Sequence, residues 1–341
     1  MSAPSSRPTI RDLARALDIS KASVSYALNG RAGVSEATRR RVLDLAAELG
    51  FHPNSAAVAL SAARTRTVGI VLAREPGLIS TEAFYMRTLF GIEQYLNEVD
   101  AAMLLRLTGE QGEDMAVYQR WSRQGRVDGF ILFDEHEDDR RVPMLEELGV
   151  PVVVVSPEER DDGAARLITS QLATVTLMLD HLRDLGHTDI AHVSGPVGFV
   201  HERLRAELFP RCARERGMRL TEIEGTYRYD DGARITAELL ARPDRPSALI
   251  LSNDLMAVAA VRTAVALGVA VPDGLSVLSW EDSALCELAQ PGVTSVDHQS
   301  MLRGRMAAEL LIDVVGGSTD LVRHSPPPVL VLGGSTTASN E

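Results

Sequence analysis

The sequence predicts two fold classes in one chain: a small all-α domain at the N-terminus and a larger α/β body built from two doubly wound parallel sheets. Residues 9–60 contain short amphipathic helix patterns and no strand pattern. From residue 67 onward, apolar strand-like runs alternate with helix-length segments, which is typical of parallel sheets covered on both faces. The runs form two groups that divide near residue 166, the first TVGIVL, AAMLLRL, VDGFILF and PVVVVS, the second IAHVSG, SALILS and LSVLSW. We therefore expect two lobes with a ligand cleft between them.

The N-terminal domain contains three helix patterns, each with a recognisable start or stop. Thr9 and Asp12 resemble a capping box at the start of the first helix. Ser20 and Ser35 can cap the second and third helices. Gly50 stands where a left-handed residue would end the third. Three short helices around one small core predict a helix-turn-helix headpiece, although other small helical bundles show similar spacing.

The second helix, residues 21–28, is the candidate DNA-recognition helix. Val24 and Leu28 lie four residues apart and should face the core. The opposite, N-terminal face would then meet base edges in the major groove, and it carries Lys21, Ala22 and Tyr26. The flanking polar side chains can donate to phosphates, and they are Ser23, Ser25 and Asn29.

The headpiece resembles the lactose-repressor (LacI) family of transcriptional regulators. The resemblance runs through the segments TIRDLARALDIS, KASVSYALNG, VSEATRRRV, LAAELGFHPN and AVAL. It implies a DNA-binding role for a set of headpiece and hinge residues. These are Thr9, Ser20, Lys21, Ala22, Ser23, Ser25, Tyr26, Asn29, Thr38, Arg39, Asn54, Ala57 and Leu60.

Residues 53–66 are expected to form a hinge helix and linker after the headpiece of residues 1–52. A helix this short and alanine-rich would order only against DNA and a symmetry mate. The resemblance implies that Leu60 wedges into a minor-groove base step and bends the duplex; an ordinary linker is the alternative. Two residues depart from the family pattern: Asp18 replaces a usual Gly, and Val58 replaces a usual Arg in the hinge.

Charge is distributed unevenly along the chain. The net charge is −12, yet residues 1–66 carry ten Lys or Arg against five acidic residues, a net of +5, and the remainder carries −17. A cationic headpiece that meets phosphates and an anionic body repelled by them would orient the protein on DNA. The run from Arg39 to Arg41 could instead be a solvated helix surface that does not contact phosphates.

The composition of the chain argues against membrane, secreted, disulfide-bonded and metal-binding proteins. The 341 residues include 45% apolar residues and no run long enough to span a membrane. The N-terminus lacks a secretory signal pattern, so we expect a cytoplasmic protein. Cys212 and Cys286 match no disulfide framework or metal spacing. The histidines at 181, 187 and 192 straddle a helix, a turn and a strand, so we expect no metal site, and no cofactor.

The resemblance to the LacI family extends over almost the whole chain and implies a periplasmic-binding-protein-like core at 67–341. Its landmarks are LFGIE at 89–93, VDGF at 127–130, HLRDLGHTDIAHVSGP at 181–196 and SNDLMAVAAV at 252–261. In that pattern the chain crosses between the lobes three times. The expected N-lobe is 67–166 with 294–323, and the expected C-lobe is 167–293 with 324–341.

The resemblance also implies an effector site between the lobes. The expected residues are Phe84, Arg205, Tyr227, Asn253, Asp254, Trp280, Glu281 and His298. Arg205 would hold effector oxygens, and Trp280 would stack on a ring. Arg205 could instead be a solvated arginine on a helix, and Trp280 could instead belong to the core. Asp254 could instead cap the helix that follows it. One Arg, one aromatic residue and neutral acceptors suit a sugar or nucleoside.

Together these features predict a homodimeric transcriptional regulator, a repressor, that binds a pseudo-palindromic operator under control of a small molecule. An activator of the same fold is the alternative. A periplasmic-type sugar-binding protein is a rival that the basic headpiece opposes. An enzyme is a second rival, but no Walker, nucleophile-elbow, dinucleotide or H-E-x-x-H motif is present.

Overall fold

The computed structural model describes residues 8–28, 30, 32–51, 64–74, 83–109 and 112–339. By their internal contacts the residues form two compact units, Met1–Thr65 and Arg66–Glu341, which we call the headpiece and the body. Most of the expected hinge lies outside the described residues, as do four expected DNA-binding residues: Asn29, Asn54, Ala57 and Leu60.

The headpiece contains three helices, α1 Ile10–Leu17, α2 Lys21–Leu28 and α3 Glu36–Glu48. They share a core made of Leu13, Ala14, Val24, Ala27, Val42, Ala46 and Phe51. Ala27 is fully enclosed, whereas Leu28, which we expected to face inward, is only partly buried against this core. The difference arises because the core face of α2 is centred between Val24 and Ala27, which are three residues apart.

The caps of these helices follow the predicted pattern. The backbone N–H and the hydroxyl of Thr9 both donate to the Asp12 carboxylate, at 2.9 and 2.7 Å, and these hydrogen bonds lower the pKa of Asp12. The hydroxyl of Ser35 accepts a hydrogen bond from the backbone N–H of Thr38 at 3.2 Å. Asp18 ends α1 in the left-handed region with φ 53°, which Asp tolerates better than most residues.

The body contains two lobes, each built on a six-stranded sheet. The elements of the first lobe up to its first crossing are β1 Thr67–Ala73, α4 Ala83–Glu98, β2 Ala102–Thr108, α5 Glu113–Arg123, β3 Gly129–Leu132, α6 Arg141–Glu147, β4 Val152–Ser156 and β5 Ala165–Ile168. The chain then builds the second lobe from α7 Gln171–Asp184, β6 Asp189–Ser194, α8 Val200–Glu215, β7 Arg219–Glu224, α9 Tyr229–Leu240, β8 Ala248–Leu251, α10 Asp254–Ala266, β9 Ser276–Ser279, α11 Ala284–Leu288 and β10 Thr294–Asp297. The last elements are α12 Ser300–Val315, β11 Val322–His324 and β12 Val329–Val331.

The sheet of the first lobe, the N-lobe, has the order β11-β5-β4-β3-β1-β2, and all its neighbouring strands are parallel. The sheet of the second lobe, the C-lobe, has the order β12-β10-β9-β8-β6-β7, and only the pair β10–β12 is antiparallel. Continuous apolar strands such as β4 and β8 are buried because helices cover both sheet faces.

The observed crossings between lobes differ from the predicted boundaries. The boundary at 166 falls inside β5, which pairs with β4 and β11 in the N-lobe sheet. Strand β10, expected in the N-lobe from residue 294, lies in the C-lobe sheet beside β9. Strand β11 ends at His324, one residue beyond the expected N-lobe limit. Each crossing therefore follows the end of a strand, because a strand belongs to the sheet in which it is hydrogen-bonded.

Helix α12 returns to the N-lobe and packs on α4 there, where Ala307, Ala308, Leu310 and Leu311 enter the N-lobe core. None of the helices in the described part of the chain is both long and apolar enough to cross a membrane.

Candidate effector site between the lobes

A cavity of about 90 Å³ lies between the two lobes of the body. Its lining residues follow the carboxyl ends of strands in both sheets: Asp134 after β3, Thr169 after β5, Asn253 after β8, Trp280 after β9 and His298 after β10. Ligands of open parallel sheets bind at this edge. Seven of the residues expected in the effector site line the cavity, namely Phe84, Arg205, Tyr227, Asn253, Trp280, Glu281 and His298.

Asp254 is the expected site residue that does not line the cavity. It is the first residue of α10 and is 1% exposed. Its Oδ1 accepts a hydrogen bond from the N–H of Leu255 at 2.7 Å, and burial raises the pKa of its carboxyl group. The cap of α10 is instead Asn253, whose Oδ1 accepts from the N–H of Met256 at 2.9 Å. Asp254 is thus a buried residue at the start of the helix and not part of the cavity lining.

Arg205 occupies the centre of the site and is buried, so its alternative as a solvated arginine is wrong. Its Nε donates to Oε1 of Gln171 at 2.9 Å, and its Nη1 donates to the Glu202 carboxylate. The guanidinium lies over the Trp280 ring, 3.8 Å from the ring centre. Gln171 was not among the predicted site residues, yet it lines the cavity and orients Arg205.

Trp280 has a different role from the expected ring-stacking platform. It is 2% exposed and belongs to the C-lobe core. One face of the indole is covered by the Arg205 guanidinium, and Phe209 approaches at a ring-centre distance of 6.1 Å. A cation over an indole face is a favourable contact. Trp280 therefore holds Arg205 in place.

Glu202 is the buried acid that compensates Arg205. Its carboxylate accepts hydrogen bonds from the Tyr227 hydroxyl at 2.6 Å, the Gly195 N–H at 3.0 Å and the Ser252 hydroxyl at 3.2 Å. Burial by itself would raise the pKa of Glu202, but the charge of Arg205 and the donated hydrogen bonds lower it to about 2. Glu202 is thus ionised, and its sequence position on α8 gave no indication of this role.

Tyr227 adopts a left-handed backbone conformation with φ 64°. The amide of Asn253 donates to the Tyr227 carbonyl oxygen at 2.9 Å and holds that conformation. The phenol ring then lies so close to Gly195 that a Cβ at that position would overlap it. Only glycine at 195 leaves room for the Tyr227 ring, which directs its hydroxyl at Glu202.

Arg74 closes the other end of the cavity and was not predicted. Its guanidinium forms an ion pair with Asp134 at 3.1 Å and bonds the Tyr85 hydroxyl at 3.0 Å. It also lies 4.6 Å from the ring centre of Phe199, which belongs to the C-lobe. A second cavity of about 570 Å³ shares four lining residues with the first, namely Arg74, Phe133, Asp134 and Tyr227. These four residues therefore lie between the two cavities.

Polar contacts join the two lobes around the cavity. The backbone N–H of Val200 donates to the carbonyl of Glu135 at 2.9 Å. Arg203 of α8 donates to Glu158 at 3.0 Å. Arg87 of α4 forms an ion pair with Asp282 at 3.2 Å. Because each contact pairs one lobe with the other, opening of the cleft would break them.

Arg303 is a second buried arginine of the cavity and was also not predicted. It lies in α12, is 8% exposed, and donates from Nη2 to Nδ1 of His298 at 3.4 Å. Nε2 of His298 bonds the carbonyl oxygen of Trp280 at 2.9 Å. Burial and the charges of Arg303 and Arg205 hold the pKa of His298 well below its usual value. His298 is therefore neutral.

The histidines at 181, 187 and 192 each have separate hydrogen-bond partners. His181 bonds Thr336 at 3.1 Å and His187 bonds Ser247 at 2.8 Å. His192 bonds Glu222 at 2.9 Å. No group of three or more potential metal ligands occurs among the described residues.

In the headpiece, the expected recognition face of α2 is accessible. Lys21, Ala22 and Tyr26 are exposed, and Tyr26 is 40% exposed. Ser20 caps α2 by accepting from the N–H of Ser23 at 3.0 Å. Ser23, Ser25, Thr38 and Arg39 are partly exposed. Nη1 of Arg39 also lies 3.6 Å from the Glu36 carboxylate, so Arg39 forms an ion pair within α3.

A helix-turn-helix headpiece followed by a two-lobed body with a polar cleft defines the class of ligand-controlled transcriptional regulators. Residues 9–54 match the model of bacterial regulatory proteins of the lacI family, and residues 179–336 match that of the periplasmic binding protein-like domain. The HTH-type transcriptional regulator CelR of Thermobifida fusca is 32% identical over 328 residues, which cover 92% of this chain and 93% of that one. The chain belongs to the LacI family of DNA-binding transcriptional regulators.

Solved structures agree with this assignment. A complex of the transcriptional regulator CelR with cellobiose has a TM-score of 0.72 and 29% identity, covering 96% of this chain and 100% of that one. The lac repressor dimer bound to operator has a TM-score of 0.83 and covers 98% of this chain and 100% of that one, but at 23% identity it shows the shared fold alone. These relatives are regulators of transcription.

Proposed function

We propose that this regulator is a homodimeric repressor of a pseudo-palindromic operator, controlled by a sugar or nucleoside bound between the lobes. The observation that carries the proposal is the convergence of Arg205, Asn253, Glu281 and Gln171 on one cavity at the strand ends of both lobes. Charged and amide groups of this kind bond the hydroxyl groups of polyhydroxylated rings. The cellobiose bound by the related CelR supports a carbohydrate.

The size of the cavity supports a mechanism based on opening of the lobes. At about 90 Å³ it is smaller than the roughly 300–1,000 Å³ of typical ligand pockets. A sugar ring therefore requires the lobes, or Arg74 between the two cavities, to move. An effector that binds one arrangement better than the other shifts the population toward that arrangement. The effect on operator affinity is limited to that difference, typically about 1–3 kcal/mol.

Exposed apolar side chains support the homodimer. Met86 and Phe90 of α4 are 64% and 60% exposed, and Leu288 of α11 is 76% exposed. Large apolar groups are normally covered in association surfaces. A two-fold dimer would place two recognition helices on the two half-sites of one operator.

The DNA-binding residues of the proposal are those of the exposed face of α2, with Lys21 and Ala22 at its centre, together with the hinge. We further propose that the body binds its ligand without transforming it, since the related proteins are regulators rather than enzymes. As an operator-binding protein it would act in the cytoplasm, where the chromosome is.

The experiment has two stages. Selection from random DNA with the wild type yields the operator, and a Lys21→Ala, Ala22→Gly double variant should return a changed consensus. Loss of a bidentate base contact of Lys21 costs about 1–3 kcal/mol, and loss of the Ala22 methyl removes an apolar contact to a base edge. Operator affinity is then titrated with a panel of sugars and nucleosides. Glu281→Ala should weaken the response to the active compound by about tenfold to a hundredfold.

Glu147→Ala is the matched control for the effector stage, since Glu147 is an exposed carboxylate of α6 outside the cavity. It should respond as the wild type does. An unchanged consensus for the double variant would refute the assignment of the recognition face. Failure of every sugar and nucleoside to alter operator affinity would refute the effector class.

A further inference from the structure

Three arginines line the cavity, Arg74, Arg205 and Arg303, and among them Arg303 is the one whose Nε has no hydrogen bond within the described residues. The side chain is 8% exposed and lines the cavity. Its one hydrogen bond to another described residue runs from Nη2 to His298, at 3.4 Å. Within the ranges that the structure describes, its Nε is buried without a hydrogen-bond partner. A buried polar group of a native protein normally has a partner, so this one requires an explanation.

The other arginines of the site have carboxylate partners. Arg74 pairs with Asp134, and Arg205 pairs with Glu202. The acids that act on Arg303, Asp297 and Glu281, do not compensate it fully. Burial and the charge of Arg205 outweigh them and lower the pKa of Arg303 to about 10. At neutral pH Arg303 is therefore a buried cation, which is costly without an anionic partner.

His298 orients Arg303 without neutralising it. Because Nε2 of His298 lies 2.9 Å from the carbonyl oxygen of Trp280, which can only accept, Nε2 carries the proton. Nδ1 is then the acceptor for the Arg303 Nη2–H. The neutral imidazole fixes the Nη2 edge of the guanidinium, and among the described residues neither it nor a carboxylate supplies a negative charge at hydrogen-bond distance from Arg303. The guanidinium fork suits a carboxylate or phosphate.

From this geometry we propose that the effector carries an anionic group, a carboxylate or a phosphate, and that Arg303 binds that group inside the cavity. The proposal rests on the proposed function and narrows it from a sugar or nucleoside to an acidic derivative of one. Such a group is small enough for the cavity of about 90 Å³. Arg205 adds a second positive charge nearby, since it lines the same cavity.

The first test uses simple anions. Thermal unfolding of the full-length protein is measured with acetate and with inorganic phosphate at constant ionic strength, for the wild type, Arg303→Met and Arg303→Lys. Either anion should raise the wild-type midpoint, Arg303→Met should lose the rise, and Arg303→Lys should keep part of it, because Lys retains the charge but not the fork. Arg305→Met is the control, since Arg305 lies two residues away and pairs with Glu98 at 2.7 Å outside the cavity.

Removal of the unpaired charge gives an independent readout. Without added anion, Arg303→Met should unfold at the same temperature as the wild type or higher, because it replaces a buried cation by an apolar side chain of similar length. A midpoint below that of the wild type would make Arg303 a structural residue and overturn the proposal. Equal anion-induced shifts in the wild type and Arg303→Met, or no shift in the wild type, would also overturn it.

Calorimetric titration with glucose, glucuronate and glucose 6-phosphate then distinguishes the two acidic groups. The favoured acid should bind the wild type about tenfold or more tightly than glucose, and Arg303→Met should abolish the preference. Control of operator binding by neutral sugars alone would overturn this proposal and retain the proposed function. An anion effect that depends on Arg303, with no response of operator binding to any sugar or nucleoside, would retain this proposal and overturn the proposed function.

Discussion

Glu202 and Arg205 show how single residues determine the character of the cleft. Both are buried, and the carboxylate receives hydrogen bonds from Arg205, Tyr227, Gly195 and Ser252. Removal of either charge would leave the other buried and unpaired, which commonly costs about 3–5 kcal/mol. For this reason Arg205 is less suitable than Glu281 for a test of effector binding, since the loss of Arg205 would destabilise the C-lobe as well.

His201 provides a residue-scale prediction about pH. Its Nε2 bonds the Tyr227 hydroxyl at 3.1 Å, and burial, followed by the charge of Arg205, lowers its pKa to about 4 from a usual 6.5. Below pH 6.5 the unfolded chain binds a proton that the native histidine does not bind. The free energy of unfolding should therefore fall as the pH is lowered from 6.5 to about 4. Below about pH 4, His201 should cause no further decrease.

Between pH 6.5 and about 4, the His201→Gln variant should lose about 1–3 kcal/mol less free energy of unfolding than the wild type loses. Urea unfolding at several pH values between 7 and 4 measures the difference from the wild type. His324→Gln is the control, because the His324 side chain is 70% exposed. If His201→Gln and the wild type lost stability in parallel, the neutral state of His201 would be wrong.

At the scale of elements, the contact between α4 and α12 determines where Arg303 lies. The two helices approach so closely that a Cβ on Gly304 would overlap the carbonyl oxygen of Thr88, and a Cβ on Gly91 would overlap that of Met301. Glycine at both positions permits this approach. Since Arg303 precedes Gly304, the position of its guanidinium in the cavity depends on the same contact.

Gly304→Ala should separate these helices and lower the free energy of unfolding by about 1–3 kcal/mol through overpacking. Urea unfolding measures this change. Gly109→Ala serves as the control, because a Cβ there has no neighbour within 4 Å among the described residues and its backbone does not require glycine. A Gly304→Ala variant as stable as the Gly109→Ala variant would contradict the close helix contact.

At the scale of the whole molecule, charge and apolar surface suggest how two copies meet DNA. Because the N-terminal 66 residues are basic and the remainder is acidic, we expect operator binding to weaken strongly as the salt concentration rises. The exposed apolar groups of α4 and α11 lie on the body, so the proposed dimer would be held by the body and would present two headpieces to one operator.

Phe90→Asp and Leu288→Asp should therefore convert the protein to monomers, because a charge in an apolar interface remains unpaired. Sedimentation equilibrium should give about half the wild-type mass, and operator affinity should fall with the loss of the second half-site. Leu172→Asp introduces the same charge at another exposed leucine, 46% exposed, and should stay dimeric. Persistence of dimers in both interface variants, or a monomeric wild type, would refute the proposed surface.

The sequence by itself determined the headpiece and the principal strands. Capping residues such as Ser35 act on the next few residues along the chain, and continuous apolar runs such as β4 signal burial wherever they lie. The ordered motifs of residues 9–60 also indicated the family, which the comparisons confirm. These features are local, so they can be predicted without knowledge of the fold.

Only the tertiary structure decided the pairing of distant elements. Strands β5, β7, β10, β11 and β12 were not predicted, because they are short or carry polar residues, and their existence depends on a neighbouring strand. Arg303 resembled any arginine of an amphipathic helix until α12 brought it into the cleft. Trp280 resembled a ligand platform until Arg205 was found over its ring. Burial and charge compensation depend on side chains far apart in sequence, so the chemistry of the cleft is determined only when both lobes are folded.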